Sequence, residues 1–331
     1  MDKNKKIPKI YNNDILKDQL KIDKKSHIKV KHINHKINQE INSKINNKIP
    51  LILYYFFLIL FFPSLTKEIK VLILSNEIKI KIKGSGYQRI IDTRIESASA
   101  VFINEEPQDE FHTEYNLEGE INEIKIVWNS PISSCNSMFY LLDNIIEVDL
   151  SQFDASQVTD MSEMFQNCSS LTSVNLCLSN INSVTNLTSM FYGCSSLKEL
   201  DLSCFDSSSV VTMNQMFFEC SSLKSINLEN FSTSSVTDFH QTFLGLYSIK
   251  SLDLSHFDTS SAIDMSQMFL NCYDLEYLDI SNFKTFNVEY MHEMFLSCRS
   301  LKSLDLSSFD TSRVTIMNRT FYDCSSLGYL T

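Results

Sequence analysis

Residues 190–210 read MFYGCSSLKELDLSCFDSSSV, and residues 298–317 read CRSLKSLDLSSFDTSRVTIM. Laid over one another, Cys194 falls on Cys298, Leu197 on Leu301, Leu202 on Leu306 and Phe205 on Phe309, which is a shift of four 26-residue units. Working outward, phenylalanine recurs at 139, 165, 191, 217, 243, 269, 295 and 321, each 26 residues after the last. Methionine precedes six of these eight phenylalanines, with Thr242 and Thr320 in the other two units. Cysteine follows three residues later at 168, 194, 220, 272, 298 and 324, replaced by Leu142 and Leu246 elsewhere. Leu150, Leu176, Leu202, Leu228, Leu254, Ile280 and Leu306 form a further column, and no insertion interrupts the period. Fixed-period self-similarity on this scale is the signature of stacked repeats.

Within one unit, Val158, Met161, Met164, Phe165, Cys168 and Leu171 are spaced by three, one or three, which places them on one face of a short helical segment. Val174 and Leu176 then alternate with polar neighbours, as a half-buried strand requires. A unit with a single apolar face cannot bury it alone, so neighbours must stack. The expected fold is therefore an α/β repeat solenoid, a leucine-rich-repeat-like right-handed coil. Its strands form a parallel β-sheet on one face, and short helical segments line the other.

The charge is unevenly divided. Residues 1–50 carry 13 Lys/Arg against 5 Asp/Glu, net +8, and the remaining chain carries 16 against 35, net −19. An acidic body is a poor partner for phosphates, so nucleic acid is not expected. Residues 1–50 read as a basic, disordered cytoplasmic tail. Residues 51–66 begin with the uncharged run LILYYFFLILFF, short for a spanning helix but suited to a signal anchor or signal h-region. With lysines before it, this segment implies a membrane-anchored chain whose repeats are extracellular or luminal, or a secreted one if the segment is cleaved. Residues 67–134 contain period-2 runs such as EIKIKIK and EIKIVW and form a β-rich N-terminal capping region of divergent first coils. Residues 135–331 hold about eight repeats, the last incomplete. Its unfinished strand makes end-to-end self-association one expectation.

The repeat body, MFxxCSSL followed by LDLSxFDTS and VTxM, resembles the bacterial surface protein 26-residue repeat, a branch of the BspA-like leucine-rich repeats. The resemblance covers about Met138 to Leu330. It implies a leucine-rich-repeat surface protein with roles in adhesion or partner contact, and no catalytic residues. The second unit departs from the pattern, with Ser179 and Asn180 where others have Phe-Asp.

The outward strand positions Glu147, Asp149, Glu199, Asp201, Asp253, Tyr277, Asp279 and Asp305 are the candidate partner-binding face, for an unknown protein or glycan. Carboxylates spaced evenly along a flat sheet do not converge on one ion, so no metal is expected. His240 and His292 share a repeat position but lie two units apart, about 10 Å, too far for a common metal. Sequons at Asn167, Asn186, Asn230 and Asn318 are possible N-glycosylation sites. The column cysteines form either a ladder of buried thiols or stacked disulfides, the ladder being expected, while Cys135, Cys177 and Cys204 are better placed for oxidation. No G-x-S-x-G, P-loop, HExxH or Rossmann glycine pattern occurs. The chain therefore reads as a non-enzymatic, cofactor-free, surface-displayed recognition or adhesion module. An intracellular scaffold for protein–protein interaction is the alternative.

Overall fold

The computed structural model describes residues 76–178 and 181–330. The described residues all lie in one compact unit, Val71–Thr331. The expectations for 1–50 and 51–66 fall outside the described residues, as do Ser179 and Asn180.

The elements are strands throughout. β1 (Asn76–Lys83), β2 (Gly86–Arg89), β3 (Ala100–Ile103), β4 (Glu106–Pro107), β5 (Glu114–Leu117) and β6 (Ile121–Trp128) precede the repeats. The repeats contribute β7 (Ile145–Asp149), β8 (Ser173–Asn175), β9 (Glu199–Asp201), β10 (Ser225–Asn227), β11 (Ser251–Asp253), β12 (Tyr277–Asp279), β13 (Ser303–Leu304) and β14 (Tyr329–Leu330). The run NEIKIKIK of β1 buries Ile78, Ile80 and Ile82 on one side, as its alternation dictates. β1 pairs antiparallel with β6 and, on its other edge, antiparallel with β7. β4, β3, β6 and β1 thus form an antiparallel sheet that continues into β7 and covers its open edge, while β2 and β5 pair as a separate antiparallel two-stranded sheet.

From β7 onward pairing is parallel at a constant offset of 26 residues: Val148 faces Val174, Ile226 faces Leu200, Leu252 faces Leu278 and Leu304 faces Leu330. A second parallel ladder links Ser134, Asp160, Asn186, Thr212, Asp238, Asp264, Tyr290 and Ile316 in successive coils.

The α/β expectation is corrected here, because no helix occurs among the described residues. The segment read as helical is a chain of tight turns. Met164, Gln166 and Cys168 donate their amides three residues back, to Met161, Glu163 and Phe165. The amides between them, of Met161, Glu163, Phe165 and Asn167, instead donate to Asn186, Thr188, Met190 and Tyr192 of the next coil. Glu163 and Asn167 adopt left-handed φ angles of 58° and 59°, and the equivalent residues of every coil do the same. A left-handed residue at every fourth position interrupts any helix. Gly193 and Gly245 occupy this position without strain. A Cβ on Gly193 would come within 2.4 Å of the Asn167 side chain.

Corners are built by Asp, Asn and Ser instead of Gly and Pro. Asp149, Asp154 and Asp160 each accept the amide two residues on, from Ser151, Ser156 and Ser162. These Asx turns recur at Asp201, Asp206 and Asn186, at Asp253, Asp258 and Asp264, and at Asp305 and Asp310. Bonds from the Ser208, Ser260, Ser281 and Ser312 hydroxyls and amides hold the carboxyls of Asp206, Asp258, Asp279 and Asp310 below the ordinary range. Those of Ser203 do the same for Asp201, its amide more than its hydroxyl. A depressed folded-state pKa contributes stability above the unfolded value of about 3.9, and that stability is lost as pH falls through the folded value. The melting temperature is therefore expected to be level from about pH 7 to pH 5 and to fall below about pH 4. A level profile through pH 3 would remove the corner carboxylates from the account.

Inside the coils the phenylalanines of the first column stack face to face from Phe139 to Phe321, with ring centroids 5.3 to 5.9 Å apart. A second aromatic column lies on the strand side: Phe205, Phe231 and Phe257 stack in turn, and Phe283 stacks on Phe309. The column cysteines are free thiols, and each Sγ donates to a phenylalanine carbonyl 29 residues back, as Cys168 does to Phe139 at 3.0 Å. Burial pushes the thiols of Cys168, Cys220 and Cys272 up to about 12. Cys135, in the Met161 column, is also a buried free thiol, while Cys177 and Cys204 form a disulfide. Among the described residues no helix is long and apolar enough to cross a membrane. The membrane-anchored placement with extracellular or luminal repeats is corrected on that finding and is not carried forward. Residues 51–66 themselves lie outside the described residues.

Candidate functional site: the strand face

Repeat strands β7 to β12 are short because each ends at its outward Asp or Asn, which opens an Asx turn by holding the amide two residues on. The outward side chains are therefore limited to two per strand. Along the stack they read Glu147 and Asp149, Ser173 and Asn175, Glu199 and Asp201, Ser225 and Asn227, Ser251 and Asp253, Tyr277 and Asp279, then Ser303 and Asp305. The eight residues expected to line a binding face do share one face, but they are not equivalent.

The Asp column is occupied by the fold. Asp149, Asp201, Asp253, Asp279 and Asp305 each hold the amide two residues ahead, and Asp149 also receives Asn175 Nδ2 at 3.0 Å. A serine follows two residues after each of these aspartates, but that spacing alone does not fix the turn. Glu147 is engaged by the N-terminal sheet through Lys81 Nζ at 2.7 Å. Glu199 and Tyr277 remain as exposed outward side chains, with the Tyr277 hydroxyl donating to Asp279 at 3.2 Å. Where the outward residues are short, the sheet floor is partly open: Val174 and Ile226 are half-exposed on either side of buried Leu200. A shallow hollow of about 460 Å³ lies there, lined by β8, β9 and β10 with Thr172.

The sequons are scattered. Asn167 is half-buried in a left-handed turn, and Asn186 uses its side-chain oxygen to hold the Thr188 amide. Asn230 is exposed with its Nδ2 on the Ser203 carbonyl, and Asn318 is exposed with its carbonyl accepting the Glu293 amide. His240 and His292 are separated by Ser266, whose hydroxyl donates to Asp264 and so receives the Nδ1 proton of His240. Among the described residues no group of His, Cys, Asp or Glu is arranged to hold a metal ion.

A feature missed in the sequence is a polar ladder on the turn face. Ser189 donates to Gln215, Gln215 to Gln241, Gln241 to Gln267 and Gln267 to Glu293, which pairs with Arg319. The glutamine two residues before Phe217, Phe243 and Phe269, repeating every 26 residues, was the available signal. These side chains satisfy one another along the stack.

No curated protein matches the chain. A leucine-rich repeat protein from Bacteroides ovatus, solved by crystallography, aligns at 18% identity with a TM-score of 0.31, over 66% of this chain. The chain spans 59% of that protein's length. The family described as "Mycoplasma protein of unknown function, DUF285" matches residues 133–251 and 247–329, nearly all of the repeat array. The chain is a repeat protein and belongs to this DUF285 family.

Proposed function

We propose that the chain is a BspA-like recognition or adhesion module that binds a protein or glycan partner through its strand face and carries out no catalysis. The observation that supports this reading is the uninterrupted row of outward strand residues, which no described part of the chain covers beyond Lys81 at its first coil. Recognition on such a surface comes from exposed side chains that hold no turn, which points to Glu199, Tyr277 and the hollow beside Glu199.

The test probes the full chain against a glycan array and an array of basic peptides, beside a Glu199→Lys/Tyr277→Ala variant and a turn-face control, Tyr322→Ser. The strand-face variant is expected to lose binding by at least about tenfold, a change of roughly 1.4 kcal/mol, with its melting temperature unchanged. Loss in the turn-face control alone, or binding to neither array, would sink the proposal.

A further inference from the structure

On the strand side, neighbouring coils are tied by β-ladders, by stacked rings or, between β9 and β10, by both. β7 to β8, β9 to β10, β11 to β12 and β13 to β14 are joined by β-ladders. Three joints lack such a ladder. At two of them stacked rings make the tie, Phe231 on Phe257 after β10 and β11, and Phe283 on Phe309 after β12 and β13. The third joint, between β8 and β9, has neither, and the sequence carries Ser179 where the period calls for the phenylalanine that would stack. It has the Cys177–Cys204 disulfide instead, with Cα atoms 5.2 Å apart.

The disulfide lies on a diagonal that the repeat uses elsewhere. Cys177 is equivalent to Ser203 and Ser255, and Cys204 to Asn230 and Asn282. Asn230 Nδ2 bonds the Ser203 carbonyl at 3.0 Å, and Asn282 Nδ2 bonds that of Ser255 at 2.7 Å. The covalent bond thus replaces a hydrogen bond at the one joint lacking both other ties. Both cysteines are exposed, whereas six of the seven free thiols are buried and Cys324 is half-buried.

We propose that Cys177–Cys204 is a reducible lock on the joint between the second and third coils. A thiolate of an external dithiol attacks one sulfur, and the S–S bond breaks. A mixed disulfide forms while the other cysteine leaves as thiolate and takes a proton. The reductant's second thiol then displaces the bound cysteine and closes its own disulfide, so two electrons pass from the dithiol to the protein. The column thiols stay out of this exchange, since burial raises their pKa and keeps the thiolate scarce. Opening the lock loosens the rim of the hollow formed by β8 and β9, while the turn-face stack stays closed. This holds whether or not that face binds a partner.

The experiment is alkylation mapping with hydrogen–deuterium exchange on the full chain, before and after dithiothreitol. In the air-oxidised protein Cys177 and Cys204 are expected to resist alkylation, and both label after reduction. Exchange of the Val174–Leu178 and Leu200–Phe205 amides then rises on the order of tenfold, with Met265–Cys298 unchanged. A Cys177→Ser/Cys204→Asn variant restores the hydrogen-bonded diagonal and is expected to ignore dithiothreitol. Free alkylation of both cysteines in the air-oxidised protein, or unchanged exchange at the joint on reduction, overturns the proposal.

Discussion

Phe217→Ala is expected to cost about 3–5 kcal/mol, the range for emptying a fully buried aromatic site. The ring stacks on Phe191 at 5.9 Å and on Phe243 at 5.5 Å, and it has no exposed surface. Both neighbours would face the cavity, and the coils above and below cannot close on it, because four turn-face backbone hydrogen bonds at each joint fix their separation. In a stack whose units touch only their neighbours, a weak interface also divides the cooperative unit. Two unfolding transitions are expected in calorimetry where the parent shows one. A single transition with less than about 1 kcal/mol lost would mean that the rings contribute little beyond filling space.

Trp128→Ala is expected to be comparably damaging, about 3–5 kcal/mol, but for a different reason. Trp128 ends β6, and its ring meets Phe153 of the first coil edge-on at 6.0 Å. Its Nε1 donates to the Glu96 carbonyl at 3.1 Å. The substitution removes apolar contact with the repeats and leaves a carbonyl without its donor. The antiparallel sheet is expected to detach before the repeats melt, exposing the edge of β7 and raising aggregation on heating. Light scattering during a thermal ramp checks this, and an unchanged onset would show that β1 alone holds the sheet in place.

The repeat period, its columns and the stacking of neighbours were legible because each column is marked by one residue type at an unbroken spacing. The helical reading failed because a chain of tight turns and a helix both bring residues three and four apart to one face. Leu141, Glu163, Ser189, Glu219 and Gln241 gave no warning, since such residues rarely adopt φ angles near 55°, as all of these do here. Gly193 and Gly245, two of the six glycines and in the same column, were the one clue. The alternation of β1 and β6 identified strands but could not choose between another coil and an antiparallel partner, because both present the same side-chain pattern. On the candidate face, outward placement was readable, whereas the commitment of the aspartates to turns depended on backbone geometry that spacing alone does not fix.

The forward-donated amides of the turn face make the array electrically polar. At every joint four N–H groups point toward the C-terminal coils and the carbonyls that receive them point back, so these peptide dipoles add along the stack as they do in a helix. Their negative pole lies at the first coil. There the carbonyls of Met138 and Tyr140 accept the Asp92 amide and the Arg89 guanidinium, with Arg94 over the Tyr140 ring. A cation at that pole is the counterpart of a lysine at a helix C-terminus. The two ends of the array are therefore chemically unlike, one demanding donors and the other acceptors, and a coil can be added to it in only one sense.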